Sequence, residues 1–212
     1  LIEDSHIFSP EQSFRDFVDR LIQPEKLVFE VPERLVHVLR DYQVQGFKWM
    51  KQLAQFGFGG VLADDMGLGK TLQSIAFILS ELENIRAQRE PVLIVCPSSV
   101  TYNWLQELMK FAPELVAVVV DGKATERKAL LADLRGVDVV ITSYPLVRRD
   151  VLIYEKLHFH TVIFDEAQAF KNAMTQTARS VKKIRAGNRF GLTGTPVENN
   201  QQELWAIFHV VF

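Results

Sequence analysis

Apolar and polar positions fall into two textures along most of this chain. Short β-rich runs appear at Gly60–Ala63, Val92–Val95, Leu115–Val120, Val137–Ile141, Thr161–Phe164 and Arg189–Leu192. Amphipathic segments with helical spacing separate them, at Thr71–Leu82, Val100–Phe111, Lys123–Leu134 and Thr175–Ile184. Strands that alternate with helices predict an α/β fold, a mostly parallel central sheet with helices on both faces. Ligands of such sheets sit at the carboxyl ends of the strands, so chemistry is expected in the loops that follow those runs. The start of the chain differs. Ser9-Pro10-Glu11 reads as a helix start, Phe14, Phe17, Val18 and Leu21 recur at helical spacing, and Pro24 ends the helix. Lys26–Val31 then alternates like a short strand.

Composition narrows the picture further. At 212 residues with no Gly/Ser linker, repeat or low-complexity tract, the economical reading is one domain, residues 35–212, behind a small N-terminal extension, residues 1–34. The longest apolar stretch, Leu115–Val120, is far short of the roughly 20 residues that a membrane-spanning helix needs. The net charge of −2 excludes a globally basic DNA binder and leaves room for a local basic stripe. Cys96 is the only cysteine, so neither an internal disulfide nor a cysteine-rich zinc site is expected. The closing WAIFHVVF is apolar and must pack on something, which suggests a piece of a longer protein.

Candidate chemistry falls where the pattern places it. The strand GGVLA leads into Asp64-Asp65-Met66-Gly67-Leu68-Gly69-Lys70-Thr71, followed at once by a helix. Glycines let backbone N–H groups turn toward phosphate oxygens, a Lys reaches the β- and γ-phosphates, and a Thr hydroxyl suits Mg²⁺. The strict pattern asks for Gly where Asp64 stands; a Gly-rich turn with a solvated Lys is the alternative. A second strand ends in Asp165-Glu166-Ala167-Gln168. Beside a phosphate loop, Asp165 would serve Mg²⁺ and Glu166 would orient or deprotonate the attacking water. An acidic cap for the next helix is the plainer account of such a pair. A third run, Gly191-Leu192-Thr193-Gly194-Thr195-Pro196, is either a sensor of the γ-phosphate or an ordinary turn; spacing alone leaves both open.

Taken together, DDMGLGKT, DEAQ and LTGTP in this order resemble motifs I, II and III of helicase superfamily two. The finer text is similar to its Swi/Snf branch of double-stranded-DNA translocases. Leu39-Arg40-Asp41-Tyr42-Gln43, with Gly46 and Trp49, looks like the branch's adenine-recognising Q motif. Val95-Cys96-Pro97-Ser98-Ser99 with Asn103-Trp104 and Glu107 resembles motif Ia, and Asp138–Tyr144 resembles motif Ib. The segment Thr195–Asn199 with Glu203-Leu204-Trp205 is close to the text after motif III. The likeness covers roughly residues 35–212.

The resemblance implies a recombinase-like P-loop NTPase lobe that uses ATP and Mg²⁺. It assigns the nucleotide to Arg40, Gln43, Asp64, Asp65, Met66, Gly67, Leu68, Gly69, Lys70 and Thr71, with Gln43 reading adenine. Lys70, Asp165 and Glu166 would be catalytic, and Thr71 and Asp165 would hold Mg²⁺. Pro97, Ser98, Ser99, Thr142, Ser143 and Tyr144 would touch the phosphate backbone of duplex DNA, and Gln168, Thr193, Gly194 and Thr195 would couple nucleotide state to DNA. Asp65 stands where the branch usually has Glu, and Gln168 where many members have His. The partner implied is a second lobe of the same polypeptide, which would bring the arginine fingers. An RNA helicase of the same superfamily and an interaction module without turnover are the competing readings.

Other features carry less. His158 and His160 would share a strand face, with too few ligands nearby for a metal, and suit a partly solvated edge. Arg148-Arg149 and Arg179, Lys182, Lys183 and Arg185 suit a DNA-facing stripe or a solvated helix face equally well. Cys96, closing a buried strand, is expected to be inert.

Overall fold

The computed structural model describes residues 29–57, 59–63, 69–167 and 175–194. In chain order these form α1 (Asp41–Gln55), β1 (Gly60–Ala63), α2 (Lys70–Ser80), α3 (Leu82–Gln88) and β2 (Val92–Cys96). A single 3₁₀ turn leads into α4 (Thr101–Phe111), β3 (Ala117–Val119), α5 (Ala124–Ala132) and β4 (Val139–Ser143). Then come α6 (Tyr144–Arg149), α7 (Val151–Tyr154), β5 (His158–Phe164), α8 (Gln176–Lys182) and β6 (Arg185–Thr193). The six strands make one sheet in the order β1-β6-β5-β2-β4-β3, and every neighbouring pair is parallel. The α/β class and the parallel sheet expected from the sequence are what the chain adopts.

β2 shows how one short run serves two cores. All five of its residues are buried, and successive side chains point to opposite faces. Val92, Ile94 and Cys96 join Phe47, Met50, Ile75, Phe77 and Trp104 on the face covered by α1, α2 and α4. Leu93 and Val95 join Leu131, Val147, Tyr154 and Val181 on the face covered by α5 to α8. Burial on both sides explains why the run is uniformly apolar rather than alternating. Phe77 of α2 meets Phe190 of β6 edge-on at 5.3 Å between ring centroids.

Several boundaries differ from expectation. The segment after motif Ib carries two helices, α6 and α7, that the pattern did not suggest. Pro145 reads as a breaker, yet a proline in the first turn is compatible with a helix because the N–H it lacks would have no partner there. α1 was also unforeseen: its buried face is Gln43, Phe47, Met50 and Leu53, interrupted by Gly46. A Cβ at Gly46 would stand 2.0 Å from Gln73 Oε1, so the glycine lets α1 and α2 approach closely. The strand expected at Lys26–Val31 is corrected in its described part: residues 29–31 are irregular, with Phe29 and Val31 packed on the first core. The helix expected from Ser9 lies outside the described residues. Among the described residues no helix is long and apolar enough to cross a membrane.

Candidate active site

β1 lies at one edge of the sheet, separated from β2 by β6 and β5. Such a reversal in strand order opens a crevice at the carboxyl ends, the place where open α/β sheets bind ligands. α2 starts there, with Gly69 at its cap and Lys70 as its first residue. Residues 64–68 of the phosphate loop, with Asp64, Asp65, Met66, Gly67 and Leu68, lie outside the described residues. Lys70 is buried, and a Cβ placed on Gly194, just past β6, would be 3.4 Å from its Nζ. The register carries the same geometry: Ala63, which ends β1, pairs with Thr193, which ends β6. Thr193 is buried and Gly194 exposed. Thr195 and Gln168 fall outside the described residues.

The carboxylate pair closes β5, next in the sheet. Asp165 and Thr71 line a single cleft of about 460 Å³ together with Asn103, Trp104 and Glu107 of α4. Asp165 is held at both oxygens: the Trp104 indole N–H donates to Oδ2 at 2.8 Å, and the Glu166 backbone N–H to Oδ1 at 2.9 Å. Burial pushes the Asp165 carboxyl above the ordinary range, and so does the charge of Glu166; the Trp104 bond and the Lys70 ammonium pull the other way. Glu166 has φ of +52°, in the left-handed region, where a residue with a side chain is strained by about 1–2 kcal/mol. Tyr144 donates its hydroxyl to the main-chain carbonyl of Asp165 at 2.6 Å, directly beside that peptide. The sequence suggested neither aromatic as a partner of Asp165. The signal available was only their place in the motif Ia and motif Ib text.

The adenine-reading candidates sit at the start of α1. Gln43 is buried, and its Oε1 accepts the Arg40 backbone N–H at 2.8 Å, which caps the helix. Arg40 itself is exposed. The Tyr42 ring approaches Gly69, where a Cβ would come 2.8 Å from it, so the start of α1 is packed against the cap of α2.

The suggested DNA-contact residues divide. Ser98 and Ser99 are exposed after β2, with Pro97 half-buried. Thr142, Ser143 and Tyr144 are buried, and the Thr142 hydroxyl is used on the Val120 carbonyl at 3.1 Å. The exposed hydroxyls at this edge therefore come from the first segment. Arg148 and Arg149 at the end of α6, and Arg179 and Lys182 on α8, are exposed on two helices that pack against each other.

Two smaller expectations concerned His160 and Cys96. His160 is buried rather than solvated: its Nδ1 lies 2.8 Å from the Thr161 hydroxyl and its Nε2 3.5 Å from Glu81. Among the described residues no cluster of His, Cys, Asp or Glu is placed to hold a metal ion on its own. Cys96 is fully buried, and burial, aided by the charge of Asp165, pushes its thiol up to about 12.

Comparison with known proteins agrees with this geometry. The SNF2-related domain family matches residues 42–212. The chain is 37% identical over 205 residues to TATA-binding protein-associated factor MOT1 of Saccharomyces cerevisiae, covering 92% of this chain and 11% of that protein. It is 39% identical over 203 residues to the putative ATP-dependent helicase/translocase YwqA of Bacillus subtilis, covering 95% of this chain and 22% of that one. The SWI2/SNF2 ATPase core of Sulfolobus solfataricus, solved in complex with double-stranded DNA, superposes with a TM-score of 0.76 at 38% identity. That likeness covers 86% of this chain and 38% of the solved one. The chain thus spans a small part of each relative's length. With motif text, sheet order and family match in accord across most of its residues, the chain belongs to the SNF2-related domain family.

Proposed function

We propose that residues 35–212 form the first of two recombinase-like lobes of a DNA-stimulated ATPase, with residues 1–34 as an extension. In the complete polypeptide, ATP hydrolysis would drive movement along duplex DNA and the remodelling of protein–DNA complexes. One observation carries the reading: Lys70, Thr71, Asp165 and Gly194 meet at a single carboxyl edge, where the Lys70 ammonium acts on the Asp165 carboxyl. The residues present fit ATP with Mg²⁺, since a hydroxyl and a carboxylate face one cleft large enough for a hydrated ion and phosphate groups. Bound there, Mg²⁺ would neutralise charge on the β- and γ-phosphates.

The protein's own groups divide the remaining work. Lys70 would hold phosphate oxygens as a charged donor. Thr71 and Asp165 would hold the ion, and Asp165 is preset for this by its two hydrogen bonds. Glu166, turned by its left-handed backbone, would orient the attacking water and accept its proton. Gln43 would accept from the adenine amine with the same Oε1 that caps α1, because an amide oxygen has two lone pairs. Ser98 and Ser99 would bind backbone phosphates of DNA, which fix position without reading sequence. Thr193 and Gly194, beside Lys70, would pass nucleotide state onward.

The test has two parts. Calorimetry should find Mg²⁺-ATP binding weakened by roughly 10- to 150-fold in Lys70→Ala, the equivalent of a charge-assisted contact of about 1.5–3 kcal/mol. Phosphate release by the complete polypeptide should rise with duplex DNA and not with RNA. Equal affinity in the variant, or stimulation by RNA alone, would overturn the proposal.

A further inference from the structure

Asp165 is reached from two directions by aromatic side chains that belong to the helices following β2 and β4. Trp104 comes from α4, one turn past the exposed Ser98 and Ser99, and is almost wholly buried with its N–H on Oδ2 at 2.8 Å. Tyr144 opens α6, directly after Ser143, and donates to the Asp165 carbonyl at 2.6 Å. Between these bonds lies the peptide that puts Glu166 into the left-handed region. Strain at a single residue persists only where its surroundings over-determine it. Here the over-determination is visible: one bond fixes the carboxylate, the other fixes the carbonyl of the same residue.

We propose that Trp104 and Tyr144 are positioning residues that hold the Asp165–Glu166 turn in working geometry and link it to the segments after β2 and β4. Neither touches the reacting atoms. Trp104 aims the Oδ atoms of Asp165 at the cleft it shares with Thr71, and Tyr144 keeps the adjoining peptide from turning over. Trp104 follows the exposed Ser98 and Ser99, and Tyr144 opens the helix that carries the exposed Arg148 and Arg149, so a shift of either segment must move the carboxylate or break a bond. This inference rests on the reading of the lobe as part of a DNA-stimulated ATPase.

The experiment uses the complete polypeptide carrying this lobe. Trp104→Phe removes the N–H donor, as does site-specific replacement of Trp104 by its benzothiophene isostere, which keeps the ring's shape and so protects the test against misfolding. Tyr144→Phe removes the other bond. ATP turnover is followed against Mg²⁺ concentration, with and without duplex DNA, and nucleotide affinity is measured separately in EDTA. Loss of the indole N–H should raise half-saturating Mg²⁺ about tenfold, the scale of one hydrogen bond to a charged group, and leave Mg²⁺-free nucleotide affinity within about twofold. Tyr144→Phe should lower the ratio of DNA-stimulated to basal turnover, with the Mg²⁺ requirement less affected. An unchanged Mg²⁺ requirement in the isostere, beside an active wild type, would overturn the role of Trp104. An unchanged stimulation ratio in Tyr144→Phe would overturn the link. A wild type without DNA-stimulated turnover would instead defeat the functional reading on which both depend.

Discussion

Replacing Glu81 with Gln should destabilise the fold by an amount that depends on pH, and the structure sets both the size and the sign. Glu81 sits between α2 and α3, away from the candidate site. It accepts from Lys51 of α1 at 2.9 Å and from Asn84 at 2.8 Å, and His160 of β5 lies 3.5 Å away. One carboxylate thus ties together three elements of the first core. The contact with His160, together with Lys51 and Asn84, outweighs burial and holds the carboxyl down at about 2, against an ordinary value near 4.5. A carboxyl whose folded value is depressed contributes its stability above the unfolded value and loses it as pH falls toward the folded one. At 1.36 kcal/mol for each pH-unit of difference, the gap is worth about 3 kcal/mol at neutral pH.

Gln keeps the shape and one acceptor but cannot ionise. Guanidinium unfolding of the wild-type chain and Glu81→Gln at a series of pH values isolates this group, since every other carboxylate titrates in both proteins. The difference in unfolding free energy should be about 3 kcal/mol at pH 7, fall to less than half of that at pH 3, and approach zero near pH 2. Equal denaturant slopes in the two proteins would show that the same surface is exposed. A deficit as large at pH 3 as at pH 7 would refute the reasoning, because it would assign the loss to packing instead of charge.

Other outcomes follow from the same geometry. ATP should outcompete GTP, and Gln43→Ala should erase most of that preference in a nucleotide-competition assay, since guanine leaves the amide unpaired. That variant should also lower the melting temperature, because the same amide oxygen caps α1. The 212-residue chain alone should bind ATP yet release almost no phosphate, with or without duplex DNA: an arginine finger in related enzymes is worth roughly 10³–10⁵ in rate, and none of the arginines here lies in a motif that matches this role. Robust DNA-stimulated turnover by this chain, abolished by Glu166→Gln, would count against the two-lobe account. Cys96 should resist iodoacetamide at pH 8 in the folded protein and react once guanidinium exposes it, since a buried thiol pushed up to about 12 supplies almost no thiolate.

How far the fold could be read depended on what made each strand a strand. β2 and β5 are buried on both faces, so hydrophobic runs marked them, although β5 starts at His158 and not at Thr161. β6 was legible only in its second half. Its first residues, Arg185 to Asn188, are polar or small and belong to the strand because they pair with His158 to Thr161 of β5. Backbone pairing leaves no trace in hydropathy. The reverse holds at β3, where the apolar run Leu115–Val120 is longer than the strand Ala117–Val119. The Val116 N–H is taken instead by the Asp138 carboxylate at 2.8 Å, which Arg86 also engages, so the run's beginning is fixed by a side chain from β4's approach.

The candidate site follows the same logic one level up. Lys70, Thr71, Asp165 and Glu166 stand out in the sequence because the chemistry proposed for them would demand these residue types in this order after a strand. Trp104 and Tyr144 were not, because what makes them partners of Asp165 is register. Val95 pairs with Phe164 across β2 and β5, and Cys96 with Ser143 across β2 and β4, so the loops leaving all three strands start level with one another. A tryptophan 61 residues from the carboxylate and a tyrosine 21 residues from it then arrive on the same residue. Had β2 paired one residue along, the residues facing its two cores would have exchanged, and Trp104's helix would have been displaced from Asp165. The all-apolar run of β2 tolerates such a slip by hydropathy alone. A hydrogen bond to a half-buried carboxylate does not, since a lost partner leaves a charged oxygen unsatisfied. The two hydrogen bonds that Trp104 and Tyr144 donate to Asp165 therefore also favour the correct register of the strands around it.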